Sequence, residues 1–141
     1  MKDRVRVTKR VSFEAAHFLP NYEGQCSHLH GHSYKLEITL SGLINDDNDC
    51  KRSDGFIEPT KAMVLDFSNI KNAIMSVVGK YDHSYLNDFF LVPTAEVMVV
   101  SIYKEFVEFA SHYTVPEGFR VESIKLWETE DSYAEYRGEQ E

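Results

Sequence analysis

The stretch CSHLHGHSYKLEITL, residues 26–40, decides how the rest of the chain is read. Its second half alternates, with Tyr34, Leu36, Ile38 and Leu40 on one side and Ser33, Lys35, Glu37 and Thr39 on the other. A period of two marks a strand with one face in a core and the other in water. Counting backwards in the same phase puts His30 and His32 on the apolar face, where the strand begins. Side chains at i and i+2 of a strand project the same way, so these two imidazoles can converge on one point.

Working upstream, Val5, Val7, Val11, Phe13 and Ala15 form a second period-2 face, opposed by Arg4, Arg6, Thr8, Arg10, Ser12 and Glu14. His17 lies in phase with the apolar face at the end of that strand. Neighbouring strands joined by one loop usually pair antiparallel, which brings His17 towards His30 and His32. A lone histidine on an apolar face is more often a hydrogen-bonded core residue than a ligand. Three that converge, with one position left open, are the arrangement of a catalytic zinc site. His28 shares the phase but precedes the apolar pattern and reads as a loop residue. Cys26 is either a fourth ligand that closes a structural site or a free thiolate beside a catalytic one, and its spacing allows both.

Downstream, MVLDF (63–67) reads as a short strand leading into a helix over 68–78, with Ser68 as N-cap and Gly79 just past the end. The next segment, KYDHSYLND, holds Asp82 and His83, either an exposed turn pair or an acid–base couple. A second helix starts after Pro93-Thr94, with Thr94 as its cap, and buries Met98, Ile102, Phe106, Phe109 and Tyr113. Gly118 and Phe119 open a last strand in which Ile124, Leu126 and Glu128 share a face. A carboxylate in that phase is either at the strand's wet end or in a pocket.

The whole chain, residues 1–141, is expected to form one domain, since it has 141 residues, 43% of them hydrophobic, enough to close a core. A formal net charge of -8 argues against a nucleic-acid or anionic-lipid surface. No apolar run approaches the roughly 20 residues of a membrane span, and the charged start MKDRVRVTKRV is unlike a secretory leader. The expected location is therefore the cytoplasm, with Cys26 and Cys50 as thiols. Residues 45–60, around Cys50, read as a long polar loop.

Six stretches in order, FEAAHFL, CSHLHGH, MVLDF, YDHSYLN, PTAEV and WETEDSYAEY, resemble the 6-pyruvoyltetrahydropterin synthase family, and above all its bacterial 6-carboxytetrahydropterin-forming branch. The resemblance implies an α+β tunnelling fold (T-fold), an antiparallel sheet with two helices packed on one face. It implies homo-oligomers, trimers or hexamers, with active sites between subunits. Zinc would sit on His17, His30 and His32, while Cys26, Asp82 and His83 move protons and Glu128 grips the pterin, with Thr94 and Glu96 as further pocket residues.

Three residues separate Cys26 from His30, as in the carboxy-forming branch. The implied reaction converts 7,8-dihydroneopterin triphosphate into 6-carboxy-5,6,7,8-tetrahydropterin, releasing acetaldehyde and triphosphate, on the route to 7-deazaguanine nucleosides such as queuosine. The alternatives are pyruvoyl chemistry on the same substrate and a zinc-stabilised module that binds a pterin or purine without turning it over. Two positions depart from the family pattern: Val97 stands where Asn is usual, and Tyr81 where an aliphatic residue commonly precedes the Asp-His pair.

Overall fold

The computed structural model describes residues 2–24, 28–45, 47–51 and 55–139. Its frame is one long antiparallel ladder. Strand β1 (Lys2–His17) pairs with β2 (His30–Asn45) without interruption, from Lys2 opposite Asn45 to His17 opposite His30. Both strands alternate apolar and polar residues, so the register that buries one face also fixes which residues meet at each end. The sheet continues with β4 (Arg120–Trp127), antiparallel to β2 with a shift between Thr39 and Leu40, and then with β5 (Tyr133–Tyr136).

On the other side of β1 lies β3 (Ser84–Tyr85), a two-residue strand that pairs parallel with Ala15 and Ala16. The order is β3-β1-β2-β4-β5. The sheet is thus mixed rather than purely antiparallel, because the chain returns to β1 through a helical crossover.

Two helices cover the apolar face: α2 (Phe67–Val78) and α3 (Ala95–Ala110). The core joins Val11, Phe13 and Ala15 of β1, Tyr34, Leu36, Ile38 and Leu40 of β2, and Ile124 and Leu126 of β4 to Ile70, Ile74, Met98, Ile102 and Phe106 from the helices. Phe13 and Tyr34 stack at 4.9 Å between ring centres, which ties the two long strands near the end where the histidines lie.

Several local expectations are corrected. MVLDF forms no strand: after a short 3-10 turn at Pro59–Ala62, the chain buries Val64 against Gly42 of β2, where an added Cβ would lie 3.1 Å from Val64 Cγ1. The cap of α2 is Asp66, whose carboxylate accepts the Ser68 backbone N–H at 2.8 Å. Gly79 directly follows the end of α2 as expected, in a right-handed conformation, and the chain runs on into a 3-10 turn at Gly79–Tyr81. Helix α3 stops at Ala110, so Tyr113 lies beyond it and is exposed. The polar stretch contains a short helix, α1 (Asp47–Cys50). Thr94 caps α3 as expected, accepting the Val97 N–H at 3.2 Å.

Candidate metal centre

The last rungs of the β1–β2 ladder place His17 opposite His30 and Ala15 opposite His32. On the far side of β2, Leu126 faces Leu36, so Glu128, two residues further on, reaches the same end on the same face. His17, His30, His32 and Glu128 each offer one ligand atom, and all four atoms lie within 4.8 Å of one another. His17 Nε2 is 3.1 Å from His30 Nε2 and 3.3 Å from Glu128 Oε1, and His32 Nε2 is 2.9 Å from the same oxygen.

These separations suit a cation. Zinc bonds of about 2.0–2.1 Å in a regular tetrahedron set corner-to-corner separations of about 3.3–3.4 Å, close to the three distances above. His32 Nε2 is buried and has no hydrogen-bond partner, although Glu128 stands beside it. A buried polar atom of this kind calls for an explanation, and a cation between the nitrogens and the carboxylate supplies one. The residues therefore fit a metal of the zinc type.

Groups behind the candidate ligands fix their orientation. His30 Nδ1–H donates to the His28 carbonyl at 2.7 Å, which leaves the Nε2 lone pair facing the cluster. His17, with 2% of its side chain exposed, has Nδ1 3.0 Å from the Tyr34 hydroxyl. Just past His17, Asn87 holds the Phe18 backbone through both its N–H and its carbonyl, each at 3.0 Å. The imidazoles also set the charge state. A hydrogen bond from His17, with the nearby histidine charges, holds the Glu128 carboxyl below its ordinary range, while burial lowers the His32 pKa and raises that of Tyr34.

Asp82 and His83 form a second group. Asp82 Oδ2 is 3.1 Å from His83 Nδ1, and its Oδ1 accepts the Glu14 backbone N–H at 2.9 Å. The His83 N–H in turn donates to the Glu14 carbonyl at 2.5 Å, with His83 in the left-handed region at φ 57°. The Asp82 carboxyl is held low, chiefly by the Glu14 N–H. The His83 ring is 80% exposed. It shares an open cleft of about 440 Å³ with Glu14, Gly31, His32 and Ser33, so one of the clustered histidines lines the same cleft as His83.

Of the remaining candidates, Cys26 lies outside the described residues. Thr94 is occupied with capping α3, and Glu96 is exposed in that helix's first turn. Among the described residues, no hydrogen bond or ion pair joins either to the cluster. Two supporting groups escaped the sequence reading. Tyr34 carried a signal, since a hydroxyl in an apolar phase needs a buried partner; the Glu14 backbone clamp carried none.

The sequence model of the 6-pyruvoyl tetrahydropterin synthase family matches residues 6–139. The chain belongs to that family. Two relatives named 6-carboxy-5,6,7,8-tetrahydropterin synthase cover nearly the whole of it. The protein from Haemophilus influenzae is 31% identical, the match covering 94% of this chain and 98% of the relative. That from Synechocystis is 35% identical, covering 92% and 91%. The structure of 6-pyruvoyl tetrahydropterin synthase from Caenorhabditis elegans superposes with a TM-score of 0.72 over 97% of each chain at 23% identity, which establishes the shared T-fold.

Proposed function

We propose that this member of the pterin synthase family is a zinc-dependent lyase that converts 7,8-dihydroneopterin triphosphate into 6-carboxy-5,6,7,8-tetrahydropterin, with release of acetaldehyde and triphosphate. The observation that carries the reading is the convergence of His17, His30, His32 and Glu128 beside a cleft that His83 also lines. The names of the Haemophilus influenzae and Synechocystis relatives support the carboxy product, as does the three-residue interval from Cys26 to His30.

His17, His30 and His32 would hold the ion, which when bound serves as a Lewis acid toward the oxygens of the substrate's side chain. The chain's own groups do the rest. The Cys26 thiolate takes a side-chain proton. His83, steadied by Asp82, is the second acid–base group, and its exposure leaves it free to exchange protons with solvent. Glu128, held ionised, accepts two hydrogen bonds from the exocyclic amine and ring N–H of the pterin. Thr94 and Glu96, with no tie to the cluster within the described chain, serve a site completed by a neighbouring subunit in a trimer or hexamer.

No helix among the described residues is long and apolar enough to cross a membrane, and the proposed setting is the cytoplasmic route to 7-deazaguanine nucleosides such as queuosine. Incubating the zinc-loaded protein with 7,8-dihydroneopterin triphosphate and weighing the pterin product tests the reading. The 6-carboxy mass is expected. The pyruvoyl mass would move the chain to the reaction of the family's name, and the absence of both products would overturn the enzymatic reading in favour of a pterin- or purine-binding module.

A further inference from the structure

We infer that Glu128 is an exchangeable fourth metal ligand: its carboxylate closes the coordination of the ion while the site is free of pterin, and leaves the ion for the pterin edge when substrate enters. The ligand half stands on geometry alone. Glu128 Oε1 lies 3.3 Å from His17 Nε2 and 2.9 Å from His32 Nε2, against 3.1 Å between His17 Nε2 and His30 Nε2. The carboxylate oxygen thus stands 3.3 and 2.9 Å from two imidazole nitrogens, comparable with the 3.1 Å between His17 and His30 and near the corner separation of a tetrahedral zinc site, with all four ligand atoms within 4.8 Å of one another. His32 Nε2 faces the oxygen without forming a hydrogen bond, as two ligands of one cation do.

The exchange half rests on the pterin reading proposed above, and follows from how differently the ligands are held. His17 and His30 sit on the last rung of the ladder, and their Nδ1 atoms meet the Tyr34 hydroxyl and the His28 carbonyl. Glu128 is the first residue beyond β4, and 29% of its side chain is exposed. Among the described residues its hydrogen bonds and ion pairs are to the imidazoles. It is therefore held less firmly than His17 and His30, whose second ring nitrogens meet the Tyr34 hydroxyl and the His28 carbonyl. A pterin edge offers a carboxylate two N–H donors in a bidentate fit, which compensates for the lost bond to the ion, and the vacated position makes a closed site a catalytic one.

Co²⁺ serves as the probe because its visible absorption reports the number and type of ligands. Apo-protein is titrated with Co²⁺ as wild type, Glu128→Gln and Glu128→Asp, with circular dichroism to confirm that each variant is folded. Glu128→Gln is expected to bind Co²⁺ at least about tenfold more weakly, the lower bound for losing even an outer-shell partner, and Glu128→Asp to recover part of that loss. Wild-type affinity in a folded Glu128→Gln protein would overturn the inference.

The exchange is read by adding unsubstituted pterin, which has the donor edge but no hydroxylated side chain. The Co²⁺ spectrum of the wild type should shift, and that of Glu128→Gln should not. A weakened Glu128→Gln combined with an unresponsive wild type would overturn the exchange. If that wild-type protein still forms the 6-carboxy product, the exchange alone has failed. If it forms no pterin product, the proposed function has failed with it, and Glu128 stands as a permanent ligand.

Discussion

Replacing Tyr34 with Phe removes one oxygen from the core and tests how much of the metal site is set by a residue that never touches the ion. Tyr34 is fully buried, its ring stacks on Phe13, and its hydroxyl lies 3.0 Å from His17 Nδ1. With Nε2 committed to a cation, the proton of His17 must be on Nδ1, and Tyr34 is the acceptor. Without it, a buried N–H goes unpaired at about 1–3 kcal/mol. In the metal-free form the same ring can instead carry its proton on Nε2, facing the Glu128 carboxylate 3.3 Å away, so most of the cost falls on the metal-bound form. At about 1.4 kcal/mol per factor of ten, Tyr34→Phe should weaken Zn²⁺ binding roughly 5- to 150-fold. The apo-protein's melting temperature should move little, because Phe fills nearly the same space. Competition against a chromophoric chelator measures the first quantity and thermal unfolding the second. Unchanged Zn²⁺ affinity, or equal losses of apo and metal-bound stability, would refute the argument and reduce Tyr34 to packing.

Two further expectations concern the neighbouring elements. The folded-state pKa of Asp82 is depressed, so its stabilising effect is present above the ordinary aspartate range and is lost as pH falls through the depressed value. Asp82→Asn should therefore melt below wild type at neutral pH, with the gap closing on acidification; a gap independent of pH in a melting series would exclude the carboxylate as its source. Thr94→Ala removes the cap of α3 and should cost about 1 kcal/mol in urea unfolding, with Thr94→Ser restoring most of it. If Thr94 also contacts substrate, KM should rise in the Ala variant, and an unchanged KM would confine the residue to capping.

How far the sequence carries depends on what each inference needs. Convergence of His17, His30 and His32 was legible because it needs only the parity of two adjacent strands and an antiparallel hairpin, both written in the alternation around Phe13 and Leu36. Glu128 was legible in the same way, although parity could say only that it points towards the core side, not that its oxygen stands within 3.3 Å of two imidazoles. The clamp of Asp82 and His83 on Glu14 was not legible. It depends on a parallel strand of two residues reached through a helical crossover, and on a histidine in a left-handed conformation, neither of which leaves a periodic trace. MVLDF misled because its apolar run seals the open end of the sheet instead of joining a ladder, and β5 was missed because four residues are too few for alternation to show.

The unbroken pairing from Lys2–Asn45 to His17–His30 separates the placing of the histidines from the length of the segment that joins their strands. The ladder sets which rung the two histidines share, so the register does not depend on the length of the connecting segment, although the His28 carbonyl within it orients His30. Cys26 travels with that segment. Under the proposed function, the length of that segment bears on where the thiol acts and leaves the β1–β2 register as it is.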